Sequence, residues 1–226
     1  MILDKEVLHQ LKRVLRIRIG EPFVALDNNG HEYLCALTSL SESSASALIT
    51  EKRLTLNEPP LKVTLYQALP KKPELFEWVL QKGTELGVSA FVPLVSARTE
   101  RDAVSKCERL ERIIKEAAEQ SERGKIPVLH DIATFAEALE PSGGCPHDEV
   151  TVILHGRGVT TPLAASLSEL RKHQACHIFI GPEGGFTEEE IIHAKEHGAV
   201  VRSLGSRVLR TETAGIAAAS LLLLSA

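Results

Sequence analysis

From residue 61 to the end of the chain, short apolar runs alternate with longer segments of helical spacing. No other feature limits the fold as strongly. The runs fall at 63–68, 90–95, 127–130, 150–155, 177–180 and 199–204, and the helical segments at 73–86, 105–121, 135–139, 161–173, 187–197 and 213–224. Strands that are apolar along their whole length are buried on both faces, which is the condition of a parallel sheet covered by crossover helices. Nothing repeats at a fixed period, so a solenoid is excluded. Asn57-Glu58-Pro59-Pro60 precedes this pattern, and its prolines mark a boundary because they cannot donate to a ladder. Two domains are therefore expected, 1–60 and 61–226.

The first 60 residues read differently. Val7, Leu8, Leu11, Val14 and Leu15 recur at helical spacing over 5–16, with Asp4 as a cap, and Lys12, Arg13, Arg16 and Arg18 make this the most basic stretch of the chain. Alternating segments at 22–26, 32–40 and 46–55 follow. They are separated by Asp27-Asn28-Asn29-Gly30, a hairpin signal, and by a serine-rich turn. These segments predict a small β domain.

Within the α/β part, Gly181-Pro182-Glu183-Gly184-Gly185-Phe186 stands between a strand and a helix that opens with the capping box Thr187-Glu188-Glu189-Glu190. A strand-to-helix turn is where open α/β sheets bind ligands. Glycine-rich turns there commonly hold phosphate, but Glu183 and Glu188 to Glu190 repel a pyrophosphate, and neither GxGxxG nor GxxxxGK[ST] is present in this stretch. A ligand without phosphates, carrying positive charge, fits better. A second loop, Gly205-Ser206-Arg207-Val208-Leu209-Arg210, leads into a last helix whose first turns, Ala214 to Ser220, are nearly all small. Small side chains permit close backbone approach.

The net charge of −4 excludes a global field that recruits nucleic acid, so any RNA site is a local patch. Cys35, Cys107, Cys145 and Cys176 are scattered without a CxxC pair, as reduced cytosolic thiols are, and the first residues lack the regions of a signal peptide. A cytoplasmic protein with no membrane segment and no metal is expected.

Four separated stretches, in order, resemble one known family. They are Lys82-Gly83-Thr84-Glu85-Leu86-Gly87-Val88, Glu116 to Arg123 (EAAEQSER), GPEGGF at 181–186, and LGSRVLRTETA at 204–214. The chain is similar over nearly its whole length to the RsmE-type 16S ribosomal RNA (uracil-N(3))-methyltransferases of the SPOUT superfamily. The resemblance implies a SPOUT-type parallel sheet with a C-terminal trefoil knot, preceded by a PUA-like RNA-binding β-barrel. The departure is at the start: family members carry an additional strand and loop before a helix with paired histidines, whereas here the chain begins almost on that helix, with His9-Gln10.

What the resemblance implies for function is specific. S-adenosyl-L-methionine would lie in the knot against Leu154, His155, Ile180, Gly181, Gly184, Gly185, Leu204, Gly205, Val208 and Leu209. It has no phosphate and carries a sulfonium, in keeping with the carboxylates noted above. The implied acceptor is N(3) of a uridine in the decoding region of 16S rRNA, as naked RNA or in the assembled small subunit, and the implied assembly is a homodimer. Arg210 is the candidate for stabilising charge on a uracil oxygen, since a guanidinium stays protonated at any working pH. Glu183 is a candidate for base or for cofactor orientation, and a loop carboxylate accepting backbone N–H bonds is its plainer reading. Arg13, Arg16 and Arg123 are candidates for RNA binding. Two other functions compete: a non-catalytic RNA-binding protein, for which the β domain and basic helix suffice, and a zinc hydrolase built on the HxxEH match at His193 and His197.

Overall fold

The computed structural model describes residues 2–3, 7–8, 10–104, 107–140, 148–156, 158 and 161–224. They form two compact units, one comprising the chain to Glu58 together with Arg123–Lys125 and the other the remainder.

The smaller unit is an antiparallel sheet of β1 (Ile2–Leu3), β2 (Pro22–Leu26), β3 (His31–Leu40) and β4 (Ala45–Leu54), in the order β1-β4-β3-β2. Period-two alternation sends Phe23, Ala25, Cys35, Leu37, Ala45 and Ala47 to one face, where they pack with Leu8 and Leu11. Among the described residues β1 and β2 are the outer strands of this sheet. The additional first strand is nevertheless present: Ile2 and Leu3 pair with Ser46 and Ala45. Two residues carry no period, which is why the sequence did not reveal them. The expected helix at 5–16 is also altered. Gln10–Val14 forms a π-helical turn, and Arg16 adopts φ 52°, which ends it. Asp4 and His9 lie outside the described residues.

The larger unit is the parallel α/β sheet expected from the alternation. Its strands are β5 (Lys62–Ala68), β6 (Ala90–Val95), β7 (Val128–Leu129), β8 (Ala133–Thr134), β9 (Glu149–Leu154), β10 (Ala175–Ile180) and β11 (Val200–Arg202). The order is β11-β9-β10-β5-β6-β7, with β8 also pairing β6. Its helices are α1 (Pro73–Leu86), α2 (Cys107–Gln120), α3 (Phe135–Leu139), α4 (Leu167–Leu170), α5 (Glu188–Glu196) and α6 (Thr211–Leu223). One face of the sheet packs Val63, Leu65, Cys176, Ile178 and Val152 against Phe76, Leu80, Ile114 and Leu222 of α1, α2 and α6. The other packs Phe179 and Ile153 against Phe135 of α3 and Ile191 and Ala194 of α5. Phe179 also stacks on Tyr66 at 4.2 Å between ring centroids, worth about 0.5–1.5 kcal/mol beyond burial.

Two helices depart from expectation for identifiable reasons. The segment expected as a helix over 161–173 opens with backbone pairing instead: Ser203 N donates to the Thr161 carbonyl and Leu163 N to the Ser203 carbonyl. Only a 3₁₀ turn at Leu163–Ser166 and the single turn of α4 remain helical. Helix α6 begins two residues earlier than expected. Thr211 is its first residue, and the cap position is Arg210, which makes no side-chain capping bond.

Candidate active site

The register of the sheet assembles the site. Ile180 pairs with Leu154, and Leu154 with Arg202, so the carboxyl ends of β10, β9 and β11 stand side by side. His155 N extends the ladder by donating to the Arg202 carbonyl at 3.0 Å. The three outgoing loops each carry a glycine, Gly156, Gly185 and Gly205, and a Cβ added at any of them would meet nothing within 4 Å. Gly185 at φ 69° and Gly205 at φ 103° also hold backbone conformations that other residues rarely adopt. Beyond Gly205, Val208 is 84% exposed, an unusual position for a valine, and Arg210 is exposed at the start of α6.

Neighbouring loops hold the 181–186 turn in place. Arg98 Nη1 donates to the Gly184 carbonyl at 2.8 Å and lies 3.5 Å from the Phe186 carbonyl. Glu183 Oε1 accepts from Lys71 N at 3.1 Å. Glu190 does two things at once: Oε2 accepts from Thr187 N in the capping box, and Oε1 accepts from Ala97 N, both at 2.8 Å. Lys71 Nζ reaches Glu100 at 2.7 Å, and that hydrogen bond raises its pKa. Glu189 is held below the usual carboxylate range by its own backbone amide and by the Thr187 hydroxyl, with Arg98 nearby. Glu183 and Glu190 are thus engaged by backbone amides.

Residues 57–223 match the family described as RNA methyltransferase domain, and residues 3–50 the one described as RNA methyltransferase PUA domain. A ribosomal RNA small subunit methyltransferase E of Bacillus subtilis (strain 168) is 37% identical over 223 residues, covering 95% of this chain and 86% of that one. Its namesake in Synechocystis is 39% identical over 209 residues, covering 92% and 67%. The chain belongs to the ribosomal RNA small subunit methyltransferase E family. A crystal structure of a family member from Neisseria gonorrhoeae bound to S-adenosyl methionine superimposes with a TM-score of 0.86 at 33% identity, covering all of this chain and 91% of that one.

For a member of the ribosomal RNA small subunit methyltransferase E family, the positions expected to hold cofactor are well grouped. Leu154, His155, Ile180, Gly181, Gly184, Gly185, Leu204 and Gly205 all lie at the ends of β9, β10 and β11 or in the loops that leave them. Glu183 accepts a backbone N–H, that of Lys71. Arg13 and Arg16 are exposed in the smaller unit. Arg123 requires correction: it is 4% exposed, and its Nη2 and Nε lie 2.8 and 3.3 Å from the two carboxylate oxygens of Glu58, so it cannot also offer a free guanidinium to phosphate. His197 Nδ1 faces the His193 carbonyl at 2.8 Å, and among the described residues no group of three potential ligands could hold a metal ion.

Sequence reading overlooked Arg98, Lys71 and Gln67. Arg98 and Lys71 follow the carboxyl ends of β6 and β5 directly, and that position relative to the predicted strands was the available signal. Gln67 offered another, a polar residue inside an otherwise buried strand.

Proposed function

We propose that this chain methylates N(3) of a uridine in the 16S ribosomal RNA of the small subunit, using S-adenosyl-L-methionine. The observation that carries the reading is the row of adjacent strand ends whose loops bear three open glycines and lead, within a few residues, to Arg210. The residues fit the cofactor. A Cβ at Gly156, Gly185 or Gly205 would meet nothing within 4 Å, so a ligand can approach these backbones closely, the loop carboxylates are compatible with a sulfonium, and the bound relative from Neisseria gonorrhoeae shares the fold throughout. Leu154, His155, Ile180, Gly181, Gly184, Gly185, Leu204, Gly205, Val208 and Leu209 would hold it.

When bound, the cofactor supplies an electrophilic methyl carbon. The protein's share of the chemistry is positioning and charge. Holding two reactants in line removes much of the entropic barrier to a displacement. The uracil N(3) lone pair becomes available only as its proton leaves to water, and negative charge then spreads onto the neighbouring carbonyl oxygens. Arg210, with no side-chain capping bond to its own helix, stabilises that charge. Glu183, tied to Lys71 N, keeps the loop in place.

The trefoil knot is part of this proposal. What supports it is the path of the chain, which leaves β11 at one edge of the sheet and returns to pack α6 against β5, β10 and α1. A homodimer packed through α6, with Leu224 65% exposed at its end, and RNA binding by the smaller unit through Arg13 and Arg16 complete the reading. A cytoplasmic location belongs to the same proposal; no helix among the described residues is long and apolar enough to cross a membrane.

The test is methyl transfer from labelled S-adenosylmethionine to small-subunit RNA and to assembled subunits, with mass mapping of the product nucleotide. Appearance of 3-methyluridine at one position is the expected result. Methylation at a carbon or at the ribose, or cofactor binding without transfer, would replace this reading with another.

A further inference from the structure

Gln67 lies near the carboxyl end of β5 with no exposed surface, on the face covered by α6. A buried amide is costly unless its polar atoms are partnered, so its environment requires explanation. Its Nε2 donates to Thr211 Oγ1 at 2.8 Å and to the Ala68 carbonyl at 3.2 Å. Thr211 Oγ1 in turn donates to the Gly181 carbonyl at 2.6 Å. Both ends of this chain of bonds are carbonyls, which only accept, so the amide must present its NH₂ and the hydroxyl must pass its proton toward Gly181. The other atom of the amide, Oε1, has no hydrogen-bond partner among the described residues. It points at α6, where a Cβ on residue 215 would come within 2.4 Å of it. Gly215 is therefore what lets the amide sit there.

We propose that Thr211, oriented by Gln67, is a positioning residue for cofactor binding. This rests on the reading that the 181–186 loop holds S-adenosylmethionine. The Thr211 hydroxyl fixes the Gly181 carbonyl, and with it the first peptide plane of that loop. Thr211 also follows Arg210 directly, so one short bond ties the donor loop to the backbone that carries the charge-stabilising arginine.

The experiment compares Thr211→Val, which keeps the shape and removes the hydroxyl, with Thr211→Ser, which keeps the hydroxyl. Calorimetry with S-adenosylmethionine should show a dissociation constant raised about tenfold for Thr211→Val and within about threefold of wild type for Thr211→Ser. Turnover at saturating cofactor should fall in Thr211→Val by a further severalfold. Unchanged affinity in Thr211→Val, or equal losses in both variants, overturns the proposal, the latter because it would indicate packing alone. Gly215→Ala supplies a second route if Thr211→Val does not fold. Its new methyl must displace the Gln67 amide, and a folded Gly215→Ala protein that binds cofactor like wild type also overturns the proposal. Failure of the wild-type protein to bind S-adenosylmethionine would instead remove the cofactor reading itself.

Discussion

Arg98 Nη1 donates to the Gly184 carbonyl at 2.8 Å, joining residues 86 positions apart in the chain. The guanidinium sits over the loop so closely that a Cβ on Gly184 would lie 3.2 Å from its Cδ. Together with the bonds from Ala97 to Glu190 and from Lys71 to Glu183, it makes the 181–186 turn a rigid part of the sheet end rather than a free loop. A preorganised loop binds its ligand without first losing conformational freedom.

Replacing Arg98 by alanine should therefore weaken S-adenosylmethionine about fivefold, the equivalent of roughly 1 kcal/mol for one exposed charged hydrogen bond. Global stability should change little, with a melting temperature within about 2–4 °C of wild type. Hydrogen exchange in 181–186 should accelerate. Calorimetry and exchange together check this; an unchanged dissociation constant with unchanged exchange would show that the clamp is dispensable.

Arg123 and Glu58 offer a test of a different kind. The Arg123 side chain is 3% exposed and that of Glu58 21%. Glu58 also accepts from Lys125 N at 3.1 Å, so the pair anchors the segment Arg123–Lys125 within the smaller unit. Removing one partner of a buried pair leaves the other uncompensated, and Arg123→Ala should cost about 2–4 kcal/mol in a denaturant titration. RNA binding should keep its salt dependence. A residue contacting phosphate behaves in the opposite way, with little effect on stability and a salt slope reduced by about one.

The contrast shows what could be read in the sequence. Pro73–Leu86, Ala90–Val95 and Phe135–Leu139 have the bounds expected of them, because a proline at the first turn, an uninterrupted apolar run and a capping box are all local signals. The glycine loops at the strand ends were legible for the same reason. Residues whose role depends on a distant partner were not. Arg123 looks like a surface cation until Glu58, 65 positions away, is placed beside it. Thr211 looks like a helix cap until the Gly181 carbonyl is found within reach. The helix expected over 161–173 failed similarly, since its opening residues pair with Ser203.

Cysteine reactivity probes the centre of the sheet. Cys176 on β10 has no exposed surface, and burial pushes its thiol up to about 12. Burial also raises Cys35, whereas Cys107 is exposed. The thiolate is the reactive form, so at pH 8 a thiol reagent should label Cys107 promptly in the native protein and leave Cys176 unmodified until denaturant is added. Peptide mapping after a short pulse distinguishes the sites. Native labelling of Cys176 would mean that β10 separates from β5 or β9 far more often than a fully packed strand should.

The last prediction concerns charge at the reacting base. Arg210 is exposed at the start of α6, makes no side-chain capping bond, and stands one residue from the bond that holds the 181–186 loop. If its guanidinium stabilises charge that exists only in the transition state, its loss lowers turnover while leaving ground-state binding intact. Arg210→Ala should bind S-adenosylmethionine within about twofold of wild type and lose roughly 10²–10³ in kcat toward small-subunit RNA. Arg210→Lys should recover part of that, because an ammonium keeps the charge but not the planar pair of donors. Single-turnover methyl transfer at saturating RNA separates this from a loss of RNA affinity, which would raise KM and leave kcat alone. Wild-type kcat in Arg210→Ala would remove the residue from the chemistry and turn the search to Arg207, the exposed cation three residues before it in the same loop.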